Sequence, residues 1–175
     1  YMEIQITEKK NSLRLLELSA LQYQINPHFL VNTLKTIYWN CVERTGFHSP
    51  DAKMLENLLD ITGYSLKDPE AFVTVGEELL HTKSYADILI QRHQGELDVI
   101  WDYDDTTQNA ICEKLILQPF LENAFYHGIR KTNTPGTIKV RVRIVNNIVV
   151  IKVIDNGSGI SREELSVIRR NLSSE

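Results

Sequence analysis

Between Gly136 and Asp155 the chain alternates with a period of two. Ile138, Val140, Val142 and Ile144 interleave with Lys139, Arg141 and Arg143, and Val149, Ile151 and Val153 follow after Asn146 and Asn147. Successive side chains of a strand point to opposite faces, so this pattern reads as two strands sharing one apolar face. Asparagine tolerates positive φ, which suits Asn146-Asn147 to the turn of a hairpin. The Lys/Arg row reads as the solvated face of that sheet rather than a nucleic-acid patch.

Upstream the period changes to that of helices. Residues 2 to about 45 read as one long helix with a broad stripe of Leu15, Leu18, Leu21, Ile25, Phe29, Asn32, Ile37 and Cys41. Pro27 sits inside it and predicts a bend, because proline removes a backbone donor and clashes one turn back. Beside that bend stands His28, with the polar Asn32 one turn later. Gly46 is a plausible terminator. Ser49 and Pro50 suit an N-cap and first position of a second helix, to about Lys67. Its apolar face is Met54, Leu55, Leu58, Leu59 and Ile61 or Thr62. Two such helices bury too little alone, and a pair from each of two chains would make a four-helix bundle, so residues 2–67 predict a dimer.

Lys67 to Phe72 reads as a linker, since Asp68 before Pro69 is biased away from helix. Thr74 and Glu77 form a capping box for a helix carrying Leu79, Leu80, Ile88 and Leu89 and stopping near Gly95. Leu97 to Tyr103 alternates as a half-buried strand. Leu115 to Gly128 reads as a helix with Pro119 in its first turn, and Ser161 with Glu164 caps another.

Composition excludes several classes. The chain has 175 residues, 42% hydrophobic and 24% charged, with a net charge of -4. That is a globular balance with room for one domain or two small ones, and it argues against direct nucleic-acid binding. The two cysteines, Cys41 and Cys112, have no metal-type spacing and suit a reducing compartment. No apolar run approaches the ~20 residues that span a bilayer. A start at Tyr1, already inside a helical pattern, suggests a piece of something longer.

Three stretches carry chemistry. QINPHFLVNTL holds His28 and Asn32. LQPFLENAFYHG, Leu117 to Gly128, crowds Glu122, Asn123, Tyr126 and His127 on one helix, with Asn123 and His127 four apart on a shared face. An amide and a carboxylate are hard oxygen donors of the kind Mg²⁺ takes beside phosphate oxygens; Tyr126 reads more simply as half-buried packing. DNGSGI, Asp155 to Ile160, puts a carboxylate at a strand end, where it can accept a hydrogen bond from an exocyclic amine. Gly157 and Gly159 there allow close backbone approach to a ligand. The spacing does not fit the dinucleotide fingerprint, and no Walker lysine is present. His48, His81 and His93 have no partners at ligand spacing.

In order and spacing these stretches resemble the motifs of bacterial two-component sensor histidine kinases of the LytS/YesM-like group: QINPHFLxNTL, LQPxxENAxxHG and DNGxGI. The resemblance covers nearly the whole chain. It implies an α+β chain. Residues 1–68 would be the dimerisation and phosphotransfer helices, and 69–175 an ATP-binding domain of the gyrase/Hsp90/histidine-kinase/MutL (GHKL, or Bergerat) type, an α/β sandwich with helices on one face of a mixed sheet. It implies His28 as phosphoacceptor and Asn32 as a residue aiding dephosphorylation of the regulator. Asn123 resembles the Mg²⁺-binding asparagine of the ATP site, with Glu122 and His127 near the phosphates. Asp155 resembles the aspartate that reads the adenine amino group, with Gly157 and Gly159 shaping the pocket floor. Many related kinases carry an acidic residue after the histidine; here that position is Phe29, which leaves Glu122 as a candidate base from the other domain.

The function so implied is ATP-dependent autophosphorylation of His28 and relay to an aspartate of a response regulator, itself expected to be a transcription factor. The chain would act as a homodimer in the cytoplasmic part of a membrane sensor, the membrane segments preceding Tyr1. The resemblance also implies a second glycine-rich motif, a lid and closing strands after DNGSGI, for which Glu175 comes too soon, so an incomplete carboxyl-terminal domain is expected. An ATPase of the same fold and a non-catalytic dimerisation scaffold are the competing readings.

Overall fold

The computed structural model describes residues 26–66, 72–132 and 134–172. The chain divides into two compact units, residues 1–66 and 67–175. Among the described residues no helix is long and apolar enough to cross a membrane.

In the first unit the described residues form a helical hairpin, α1 (Pro27–Thr45) and α2 (Pro50–Ser65). Pro27 does not bend α1; it opens it. Asn26 has non-helical backbone angles (φ -58, ψ 107), and its side chain accepts the N–H groups of His28 and Phe29. Those are orphan donors of the first turn, and proline at the first position has no donor to lose. Whatever the predicted helix does over residues 2–25 lies outside the described residues. Gly46 closes α1 at φ +81, and the Ser49 side chain accepts the Ala52 N–H to start α2.

The stripe that packs on α2 differs from the one the sequence suggests. Val31, Leu34, Tyr38, Cys41 and Val42 face inward, while Phe29 (68% exposed) and Ile37 (46%) stay in solvent with Asn32. On α2 the innermost residues are Ala52 and Asn57, and Leu58 lies off that line.

The second unit is α+β. Its main sheet runs β2 (Leu97–Tyr103), β4 (Gly136–Val145), β5 (Ile148–Asp155), with β2 parallel and β5 antiparallel to β4. Asn146 (φ 51) and Asn147 (φ 64) make the hairpin turn. Two helices cover one face: α3 (Val75–Arg92) and α4 (Leu117–Asn123). Val75, Leu79, Leu89, Leu117, Leu121 and Phe125 meet Ile138, Val140 and Val142 in the core. Leu80, expected on the apolar face of α3, is 67% exposed; the inward positions 75, 79, 82, 86 and 89 leave it off the line. The capping box of Thr74 and Glu77 is present in both directions.

The segment at Phe72 is not all linker. β1 (Phe72–Thr74) pairs antiparallel with β3 (Ile111–Glu113). Three-residue strands are too short for alternation to register. Nor is the Lys/Arg row simply solvated. Lys139 Nζ is 3.0 Å and Arg141 Nε 2.8 Å from Asp102 Oδ2, and Arg143 pairs with Oδ1. The register that sets Asp102 opposite Arg141 brings them together. A last helix, α5 (Arg162–Leu172), follows the Ser161–Glu164 cap.

Candidate functional site

In the first unit, His28 lies in the opening turn of α1 with its ring exposed. Asn32, one turn on, brings its amide nitrogen to 3.2 Å from Nδ1 and 3.4 Å from Nε2. The two ends of an amide exchange by a half-turn. With its oxygen turned toward the ring, the amide would accept an imidazole N–H; its near-equal distances to Nδ1 and Nε2 single out neither nitrogen. Phe29, in the position of the usual acid, points its ring into solvent.

The second unit builds its site around α4. Nothing on the local sequence caps this helix: Ile116 offers no side-chain acceptor. The cap comes from α3. Glu78, fully buried, accepts the N–H of Leu117 at 2.9 Å and that of Leu115 at 3.0 Å. Leu115 holds φ 59, a conformation L-residues adopt at a cost, and the bond to Glu78 helps hold it there. Sequence reasoning missed Glu78, whose partners lie 37 and 39 residues away.

After Asn123 the helix widens. Ala124–Gly128 is a π-helical turn, with the Ile129 N–H reaching back to the Ala124 carbonyl. Such turns recur at functional sites because they re-aim side chains. Asn123 and His127 are both exposed. Glu122 turns the other way, toward α3. Gln118 Nε2 donates to Glu122 Oε1 at 2.8 Å, and His81 Nε2 meets Gln118 Oε1 at 2.9 Å. Burial and a hydrogen bond to Glu122 push the Tyr85 hydroxyl well above the usual phenol range. His81 is thus a buried link between the two helices, and His93 packs at a tilt against Phe125, ring centroids 4.7 Å apart.

The DNGSGI loop closes against the π turn. Asp155 Oδ1 accepts the Gly157 N–H at 2.9 Å. The Ser158 N–H donates to the Gly128 carbonyl at 3.1 Å. Asn156 ties the loop to β4, its side chain accepting the Thr137 N–H at 2.7 Å. Gly157 approaches the chain itself: a Cβ there would stand 2.6 Å from Gly128 Cα. Gly159, at φ +68, has open space around it. His127 and Gly159 line one cleft of about 520 Å³ with Lys131, Ile160, Glu163 and Val167. Asp155 and Asn123 do not line it. The Ser161 cap holds Glu164 at its rim below the usual carboxylate range.

Among the described residues no group of three or more His, Cys, Asp or Glu could hold a metal ion. A magnesium ion carried on nucleotide phosphates asks for only one or two protein oxygens, and the exposed Asn123 amide fits that demand.

Comparison with known proteins follows this division. A family described as histidine kinase matches residues 16–97. One described as histidine kinase-, DNA gyrase B-, and HSP90-like ATPase matches residues 112–174. The chain is 34% identical over 152 residues to the sensor histidine kinase YesM of Bacillus subtilis, covering 87% of this chain and 26% of that protein. It is 35% identical over 159 residues to the sensor histidine kinase YpdA of Escherichia coli (89% and 27%). It is 28% identical over 172 residues to the sensor protein kinase HptS of Staphylococcus aureus (98% and 32%). It therefore spans about a quarter to a third of the length of these relatives. Among solved structures, the histidine kinase domain of a blue-light activated kinase from Erythrobacter litoralis aligns at TM-score 0.42 and 14% identity, over 79% of this chain and 66% of that one. The chain belongs to the sensor histidine kinases, joining a histidine-kinase segment to an ATPase segment of the gyrase and HSP90 kind.

Proposed function

We propose that this chain is the catalytic core of a two-component sensor kinase, in which ATP phosphorylates His28 and the phosphoryl group passes to an aspartate of a response regulator. The observation that carries the reading is the exposed His28 ring beside Asn32, inside the stretch matched as histidine kinase. The Nε2 lone pair attacks the γ-phosphorus, the bond to the β,γ-bridging oxygen breaks, and ADP leaves.

The second unit holds the nucleotide. Asn123 offers an oxygen to magnesium, which when bound spreads the phosphate charge. His127 lies near the phosphates, and the Asp155 carboxylate accepts from the adenine amino group. Gly157 and Gly159 belong to the loop that carries Asp155. Glu122 is tied to Gln118 and α3; that placement supports a role in holding α4 rather than in accepting a proton from His28.

The apolar residues that α1 and α2 leave open, Leu30, Ile37 and Leu58 among them, support assembly as a homodimer through a four-helix bundle. The regulator is a DNA-binding transcription factor, and the core sits on the cytoplasmic side of a membrane sensor. Titration of the full-length protein with Mg-ATP in a calorimeter tests the nucleotide reading. Binding that weakens at least about tenfold in both Asn123→Ala and Asp155→Asn supports it; no heat of binding in the parent protein contradicts it.

A further inference from the structure

Gly128 closes the π turn with its Cα against the Asp155 carboxyl. A Cβ there would stand 2.7 Å from Asp155 Oδ1 and 3.2 Å from its Cγ. Oδ1 is the oxygen that accepts the Gly157 N–H, so it cannot retreat without breaking that bond. From the other side, Gly157 leaves no room for a side chain against the Gly128 backbone, and the Ser158 N–H donates to the Gly128 carbonyl. The loop that aims Asp155 is therefore seated on Gly128.

We propose that Gly128 is a positioning residue for base selection: its missing side chain fixes where the Asp155 carboxylate stands, and so sets the preference for a purine carrying an exocyclic amine over one carrying a carbonyl. The inference rests on the reading of Asp155 as the acceptor for that amine. The chemistry is asymmetric. An acceptor aimed at C6 of the ring pairs with an amino hydrogen but repels a carbonyl oxygen, and a displaced acceptor does neither.

The test compares ATP with inosine triphosphate, which has a carbonyl at C6 and a hydrogen on N1, by calorimetry on the full-length protein and its Gly128→Ala variant. The parent protein favours ATP by about tenfold or more. In Gly128→Ala the ratio falls toward one, with ATP bound more weakly and inosine triphosphate bound no more weakly than by the parent. A ratio kept at the parent value overturns the proposal. So does an equal loss for both nucleotides, which is the mark of general damage. A parent protein without preference overturns the reading of Asp155 itself and the proposal with it, a failure visible before any variant is made. Should Gly128→Ala not fold, amide exchange in the parent protein decides. ATP slows exchange at Gly157 and Ser158 more than inosine triphosphate does; equal slowing by the two overturns the proposal.

Discussion

Asn32 holds its side-chain amide 3.2 Å from Nδ1 and 3.4 Å from Nε2 of His28, one helical turn away. This chain has Phe29 directly after the histidine, so the Asn32 amide is the polar group placed beside the ring. An amide oxygen turned to Nδ1 would keep the proton there and leave Nε2 to attack. Asn32→Leu should slow phosphorylation of His28 by about tenfold or more without changing the melting temperature. Asn32→Asp, which still accepts from Nδ1, should retain most of the rate. Single-turnover labelling at saturating ATP measures both; a full rate in Asn32→Leu speaks against the role.

Glu78 caps the helix that carries Asn123. Removing its carboxyl strands the N–H groups of Leu115 and Leu117 in the interior. Glu78→Ala should therefore lower the stability of the second unit by about 3 kcal/mol, and Glu78→Gln, which keeps one acceptor, by about 1 kcal/mol. Urea denaturation followed by near-ultraviolet circular dichroism reads both. A change below about 0.5 kcal/mol in Glu78→Ala would be the size of an ordinary surface substitution and would contradict the assignment.

What could be read ahead of the structure was local. The Thr74–Glu77 box, the Ser49-Pro50 start and the Asn146-Asn147 turn each lie within a few residues and need no tertiary partner. The alternation from Gly136 to Asp155 matches both strands and the inward face through Val142, while Ile144, read on the same face, is exposed. The missed features depend on distant contacts. Glu78 caps a helix 39 residues on, Asp102 gathers cations through strand register, and the β1–β3 pair is too short to show a period. Pro27 misled because a first-position proline and an interior one read alike until Asn26 is seen to cap. In the candidate site, the spacing of Asn123 and His127 agrees with the exposure of both, though only His127 lines the cleft. The direction of Glu122 was not, since it is set by Gln118 and Tyr85.

Asp102 gives the fold an acid limb. Arg143, Arg141 and Lys139 hold its carboxyl well below the usual carboxylate range. A carboxyl with a depressed folded value stabilises fully above its unfolded value, near 3.8, and the contribution is lost as pH falls through the folded one. Asp102→Asn should thus melt at a lower temperature than the parent at pH 7, and the gap should close as the pH drops below that value. Melting curves from pH 7 down to about pH 2 check the sign. A gap that widens on acidification would contradict it.

The central claim is that His28 takes the phosphoryl group. The most direct measurement incubates the full-length protein with γ-labelled ATP and magnesium, then follows the label through acid, base and the His28→Ala variant. The account predicts label that is lost in acid, survives base and is absent from His28→Ala. Free phosphate with unlabelled protein, or the same label on the variant, would contradict it.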